Sequence, residues 1–276
     1  MHESEENLFE SAHKCLMIKD PYQKADEAKR LYQDFENNEV AIQSFDAPVS
    51  VTVPGRPSRP ELVHPRDVPK RGFKSRQGLL RLAHAVAHIE FNAINLALDA
   101  VYRFRDMPQE FYSDWLKIAA EEAKHFLLLS EYLHNQGSCY GEYEAHNGLW
   151  EMAIKTDHDV MIRMALVPRV LEARGLDVTP DMIDKLTAAE EWAFVDILKI
   201  IHDEEIGHVL SGTRWFNYEC HNRGLDPRET FIDLLDQYMV GVTIGPFHEE
   251  SRKLAGFTAE EMDELLKRFV KKEVSA

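Results

Sequence analysis

Two segments of the chain, Glu121-Glu122-Ala123-Lys124-His125 and Glu204-Glu205-Ile206-Gly207-His208, share the form E-E-x-x-H. On an α-helix a Glu and a His three positions apart lie about 60° from one another around the axis, so both reach one metal ion from a single face. One E-x-x-H means little, because both residue types are common in helices. Two copies on separate long helices fit a bundle that holds two metals, with one further carboxylate from each of two other helices. The sequence offers those carboxylates at matched spacing: Glu90 precedes Glu122 by 32 residues, and Glu172 precedes Glu205 by 33. From Glu90 the chain runs 14 residues to Phe104, turns at Asp106–Gln109 and needs about 12 more to Glu122, so the two carboxylates reach similar height at ~1.5 Å per residue.

Glu90, Glu122, His125, Glu172, Glu205 and His208 together bring four negative charges, which match two divalent cations. Mostly oxygen ligands with one imidazole per metal suit iron or manganese, whereas zinc and copper sites carry more nitrogen or sulfur. His84 and His88 form a competing H-x-x-x-H pair, but His88 and Glu90 are about 200° apart around their helix and cannot both face the bundle axis. Glu90 is favoured, since Ala83, Ala87, Ile94 and Ala97 share its face; His84 and His88 then read as supporting or packing residues. Glu121 and Glu204 read as solvated acids, with the alternative that they orient the ligand histidines. Asp99 and Asp203 have weaker claims of the same kind. The four Trp and Tyr102, Tyr132 and Tyr218 are expected to pack in the core.

These ligands need long helices to position them, and helical periodicity covers most of the chain. Residues 5 to 37 read as two short helices separated by Asp20-Pro21, with an apolar stripe on each. From Asp46 to Arg76 the periodicity stops: the segment holds six of the twelve prolines and Arg56, Arg59, Arg66, Lys70, Arg71, Lys74 and Arg76 against only Asp46, Glu61 and Asp67. Proline fixes φ and removes a donor, so this is an extended arm. Its cations are expected to lie against acids of the body, with an anion clamp as the alternative. Beyond it, helices are expected over Gln77–Phe104, Glu110–Gln136, about Leu149–Arg174, Pro180 to about Cys220, and near 228–239 and 258–271. Gly137 and Gly175 read as helix stops, Thr179-Pro180-Asp181 as a helix start, and Ala188–Glu190 as a turn. Pro168 should bend or begin the helix of Glu172, since it cannot donate to the Met164 carbonyl. The expected fold is all-α: a helical annex at 1–45, the arm at 46–75, and a four-helix bundle with C-terminal helices at 76–276.

Composition narrows the function. Lys and Arg number 32 against 48 Asp and Glu, a net charge of −16 that repels nucleic-acid phosphates and anionic lipid headgroups. Strong non-specific nucleic-acid binding is therefore not expected, and neither is a membrane partner. Three widely spaced cysteines, Cys15, Cys139 and Cys220, and an acidic N-terminus without an apolar run lead to the expectation of a cytoplasmic protein. No G-x-x-x-x-G-K-[ST], G-x-G-x-x-G or G-x-S-x-G occurs, which leaves phosphate-loop, dinucleotide and hydrolase chemistry without support.

Several longer runs carry a resemblance: His64-Pro65-Arg66-Asp67-Val68-Pro69-Lys70-Arg71, His84-Ala85-Val86-Ala87-His88-Ile89-Glu90, Leu98-Asp99-Ala100-Val101-Tyr102-Arg103-Phe104 and Leu171-Glu172-Ala173-Arg174-Gly175-Leu176-Asp177-Val178-Thr179-Pro180. With Gly212-Thr213-Arg214-Trp215-Phe216 and Ala255-Gly256-Phe257 they resemble, over nearly the whole chain, the bacterial family called domain of unknown function 455. The resemblance implies a ferritin-like four-helix bundle and a layout similar to non-haem di-iron enzymes such as the tRNA-modifying hydroxylases. The expectation is an oxygen-dependent oxidoreductase of hydroxylase or oxidase type. It would carry two metal ions, iron or a manganese/iron pair, act on a small molecule or a modified RNA, draw on an external electron donor, and form a homodimer. The rival expectations are a ferroxidase or iron-handling protein and a bundle stapled by structural metal.

Overall fold

The computed structural model describes residues 6–43, 46–240 and 245–273. Apart from a two-residue parallel pairing of Glu6–Asn7 (β1) with Val40–Ala41 (β2), its regular structure is helical. Among the described residues no helix is long and apolar enough to cross a membrane. The chain divides into two compact units, Met1–Lys155 with Glu191–Ile197, and Thr156–Glu190 with Leu198–Ala276.

In the first unit α1 (Leu8–Leu16) and α2 (Pro21–Glu36) form on either side of Asp20. Asp20 caps α2 by accepting from the Tyr22 and Gln23 amides, with Pro21 at the first helical position. The two long helices are α3 (Arg76–Arg103), capped by Ser75, and α4 (Gln109–Asn135). A short connection makes them antiparallel, as Arg76 at the start of α3 donating to the Gln136 carbonyl just past the end of α4 requires. The end of α4 is a Schellman turn: Gly137 takes φ +73°, its amide donates to His134 O, and the Ser138 amide donates to Leu133 O. α1 packs on α3 and α2 on α4.

One buried cation ties this unit together. Lys24 Nζ donates to Leu16 O at 2.9 Å, to Gly55 O at 2.5 Å and to Asn95 Oδ1, joining α1, the arm and α3. The arm itself is held by backbone bonds. The Gly55 amide donates to Leu16 O, and a Cβ on Gly55 would stand 2.2 Å from the Met17 carbonyl. The Val63 amide donates to Ala145 O, the Ala145 amide to Glu61 O, and Trp150 Nε1 to Thr52 O. A 3₁₀ turn at Pro65–Asp67 is its one helical element among the described residues. Its charged heads do not follow the expectation. Arg59, Arg66, Lys70, Arg71 and Lys74 are exposed and make no ion pair among the described residues. Backbone bonds and proline geometry anchor the arm, which leaves its cations in water.

The first unit also contains α5 (Gly148–Lys155), which ends before a turn at Thr156–Asp159. The single helix expected over Leu149–Arg174 is therefore divided. In the second unit Asp159 caps α6 (Val160–Leu166) and pairs with Arg223 at 2.6 Å. Then follow a π-helical stretch, Val167–Glu172, and α7 (Ala173–Ala188). Pro168 does perturb its helix, which widens to π geometry. Gly175 and Thr179-Pro180 do not interrupt theirs: α7 runs through both. Buried Ala173, Leu176, Thr179 and Leu186 hold α7, and buried Asp177 is clamped by Arg252 through two bonds of 2.8 Å. Those contacts outweigh the local cost of a glycine and a proline. After the turn at Ala189–Glu190 comes α8 (Trp192–Asn222).

α9 (Pro227–Tyr238), α10 (Glu249–Leu254) and α11 (Ala259–Glu273) complete the second unit. Fully buried Arg169, in the π-helical stretch, donates to Glu261 Oε1 at 2.6 Å and lies over the rings of Phe216, Phe231 and Phe257 at 4.8, 4.1 and 4.6 Å. Three ring faces and one carboxylate compensate the guanidinium for lost water. Gly212 of α8 fits against Pro168, whose ring would be 2.4 Å from an added Cβ.

Candidate metal centre

In the first unit the ligand-type residues of α3 and α4 come together. Glu90 sits at mid-length of α3 on the face shared with Ala83, Ala87, Ile94 and Ala97, all buried. Glu122 and His125 sit on α4, one helical turn apart and buried. His125 Nδ1 lies 3.1 Å from Glu90 Oε2 and 3.4 Å from Glu122 Oε2. Each of the three offers a ligand atom within 4.8 Å of the others. Burial, with the Glu122 charge beside it, pushes the Glu90 carboxyl well above the usual carboxylate range; the His125 imidazole opposes this. Two buried carboxylates facing one imidazole form a donor set of the kind that takes a divalent cation in place of a proton.

In the second unit the other E-x-x-H lies on α8. Glu205 and His208 are buried, with His208 Nδ1 3.8 Å from Glu205 Oε1. Glu172 is the last residue of the π-helical stretch and is half-buried. π-turns inserted in α-helices occur frequently at functional sites, since the extra residue per turn re-aims the side chains beyond it.

The competing residues do other work. His84 Nε2 accepts from the Gly141 amide at 2.9 Å, and its ring stacks on Tyr140. His88 Nδ1 lies 2.9 Å from Tyr140 Oη, while its Nε2 faces Asn92 Nδ2 at 3.0 Å. Both histidines hold the connection that follows α4, and burial pushes the pKa of each down to about 4. Glu121 lies 3.5 Å from Lys117 on the surface of α4. Asp99 is buried and paired with Arg103 at 2.7 Å. Glu204 is half-buried and Asp203 exposed. Trp115, Trp150 and Trp215 are core residues, whereas Trp192 and Tyr218 are exposed, contrary to expectation. Lys24 escaped the sequence reading although it has a signal: it lies four residues before Ala28, on the apolar stripe of α2.

No solved structure matches the chain. A protein of Haemophilus influenzae bearing the name "Uncharacterized protein" is 42% identical over 281 aligned positions, covering 96% of this chain and 98% of that one. The family model described as "Protein of unknown function (DUF455)" matches residues 17–263, and on that match the chain belongs to this family.

Proposed function

We propose that the chain is a ferritin-like protein in which Glu90, Glu122, His125, Glu172, Glu205 and His208 hold two metal ions, iron or a manganese/iron pair. We assign it the activity of an oxygen-dependent oxidoreductase of hydroxylase or oxidase type. The observation that carries this reading is the buried meeting of Glu90, Glu122 and His125 on two antiparallel helices. The repeat of the same E-x-x-H on α8, also buried, extends it to a second metal. When bound, a pair of reduced irons supplies two electrons to dioxygen and so the oxidising power to hydroxylate or dehydrogenate an organic substrate.

The residues of this chain then have defined tasks. The Glu90 carboxyl would give up the proton that burial otherwise enforces, and Glu90 and Glu122 would both supply charge to the cation. His125 and His208 bind as neutral imidazoles. The small and apolar side chains Ala83, Ala87, Ile94 and Ala97 line the Glu90 face of α3 and exclude water, which strengthens each electrostatic contact in the site.

Anaerobic titration of the metal-free full chain with ferrous iron tests the reading. Two irons per chain, both oxidised on admitting oxygen, are expected, and Glu122→Ala should lose the pair. Tens of irons per chain would replace this reading with iron storage. Metal indifferent to oxygen would leave a structural staple, and retention of both irons in Glu122→Ala would refute the dimetal assignment.

A further inference from the structure

Helix α8 carries its largest exposed side chains on one side. Trp192 is 56% exposed, Ile200 40%, Leu210 45% and Tyr218 38%, while the opposite side supplies the buried Phe194, Val195, Leu198, Ile201, Val209 and Phe216. At 100° per residue these four outward positions fall within a stripe about 80° wide. Exposed Asp196, Asp203, Gly207 and Arg214 occupy the same stripe. The four apolar groups thus stand 8, 10 and 8 residues apart along one solvent-facing stripe, with charged residues and a glycine between them.

The stripe is self-complementary when run antiparallel. Measured from Glu205, Trp192 and Tyr218 are each thirteen residues away, Arg214 and Asp196 nine, Ile200 and Leu210 five, and Asp203 and Gly207 two. A twofold axis at this height would therefore set Trp192 against Tyr218 of a second copy, Ile200 against Leu210, and Asp196 against Arg214. Apolar meets apolar, and acid meets base, at every outer pair. Near the axis, where two helices approach closest, stands Gly207. A glycine inside a helix is less favourable than any residue but proline, and a Cβ here would meet nothing within 4 Å in its own chain. The chain's own packing therefore gives no reason for a glycine at 207, whereas a crossing helix does.

We infer that the exposed face of α8 is a homodimer interface, in which two copies pair antiparallel about Glu205. The apolar pairs supply the association energy, and the two Asp196–Arg214 pairs fix direction and register, as charged pairs flanking an apolar seam do. The paired stretch from Trp192 to Tyr218 spans about 39 Å at 1.5 Å per residue.

Sedimentation equilibrium on the full chain, with mass measured across micromolar concentrations, tests this. The wild type should be a dimer, and Leu210→Glu a monomer. Gly207→Gln, which favours the helix and so cannot act by unfolding it, should weaken the dimer at least tenfold. Asp196→Arg alone and Arg214→Asp alone should each weaken it similarly, and the two combined should return to within a few-fold of wild type, because the reversed charges meet across the axis. A wild type that is monomeric at 100 μM, a dimer indifferent to Leu210→Glu, or a charge reversal that does not restore association would each overturn the inference.

Discussion

Lys24 shows how much one side chain can organise. Its Nζ lies among the Leu16 carbonyl, the Gly55 carbonyl and the Asn95 amide oxygen, a full set of acceptors for an ammonium with three donors. Lys24→Met keeps the apolar stem but takes the ammonium donor from the Gly55 carbonyl and the Asn95 amide oxygen, while the Leu16 carbonyl keeps the Gly55 amide. Each such loss costs about 1–3 kcal/mol, so the variant should be destabilised by roughly 2–5 kcal/mol in urea denaturation. Arginine, too long for the pocket, should not rescue it. His84 supplies a pH dependence. Burial pushes its pKa down to about 4, against the partial opposition of Glu142 and Glu144, while the unfolded chain titrates near 6.5. Between these values the unfolded state binds more protons. Its contribution to stability is therefore complete above pH 6.5 and is lost as pH falls toward 4, at up to about 1.4 kcal/mol per unit. Urea denaturation at pH 7 and pH 5 should show a loss of stability that is smaller by about 2 kcal/mol in His84→Gln, which keeps an acceptor for the Gly141 amide, while the share of His88, also pushed down to about 4, remains.

At the scale of elements, the contact of Gly212 with Pro168 joins α8 to the π-helical stretch that ends at Glu172. Gly212→Ala puts a methyl 2.4 Å from a rigid ring, so the stretch or the helix must move. The expected cost is roughly 1–3 kcal/mol in thermal or urea unfolding, with weaker metal loading as the accompanying sign. The arm gives a contrasting expectation. Ala substitutions at Arg66, Lys70 and Arg71 remove exposed heads that make no ion pair among the described residues, so each should change stability by less than about 0.5 kcal/mol.

Elements also show what could be read in advance. The 3.6-residue period placed α3 and α4 to within a residue or so, and Glu90 beside Glu122 and His125 followed from simple rise arithmetic, because long regular helices obey their own geometry. Gly175 and Pro180 misled for the converse reason. They are strong local signals, and tertiary contacts of Leu176, Asp177 and Thr179 overrode them. The π-helical stretch was foreshadowed by Pro168 only as a generic bend, since its extra residue per turn has no compositional mark. Aromatic residues are core residues on average, which concealed the outward direction of Trp192 and Tyr218 until the helix phase was known.

At the scale of the whole molecule, an acidic chain that buries several carboxylates should depend on cations for its stability. A ligand that binds the folded chain and not the unfolded one stabilises it by RT ln(1 + [L]/Kd), about 2.7 kcal/mol at one hundred times Kd. For a domain-sized transition this raises the melting temperature by several degrees. Manganese serves as the probe, because it requires no exclusion of oxygen. The metal-free chain should melt at a higher temperature with increasing manganese, and chelation should reverse the shift. The proposal makes a further demand, since it assigns Glu122 to one E-x-x-H and His208 to the other within a single centre. Glu122→Ala and His208→Ala should therefore each remove most of the shift, and the double variant should lose little more than either alone, the non-additivity of residues that act as a unit. Two independent shifts that add in the double variant would mean that each motif binds its own ion, and the shared centre would have to be abandoned.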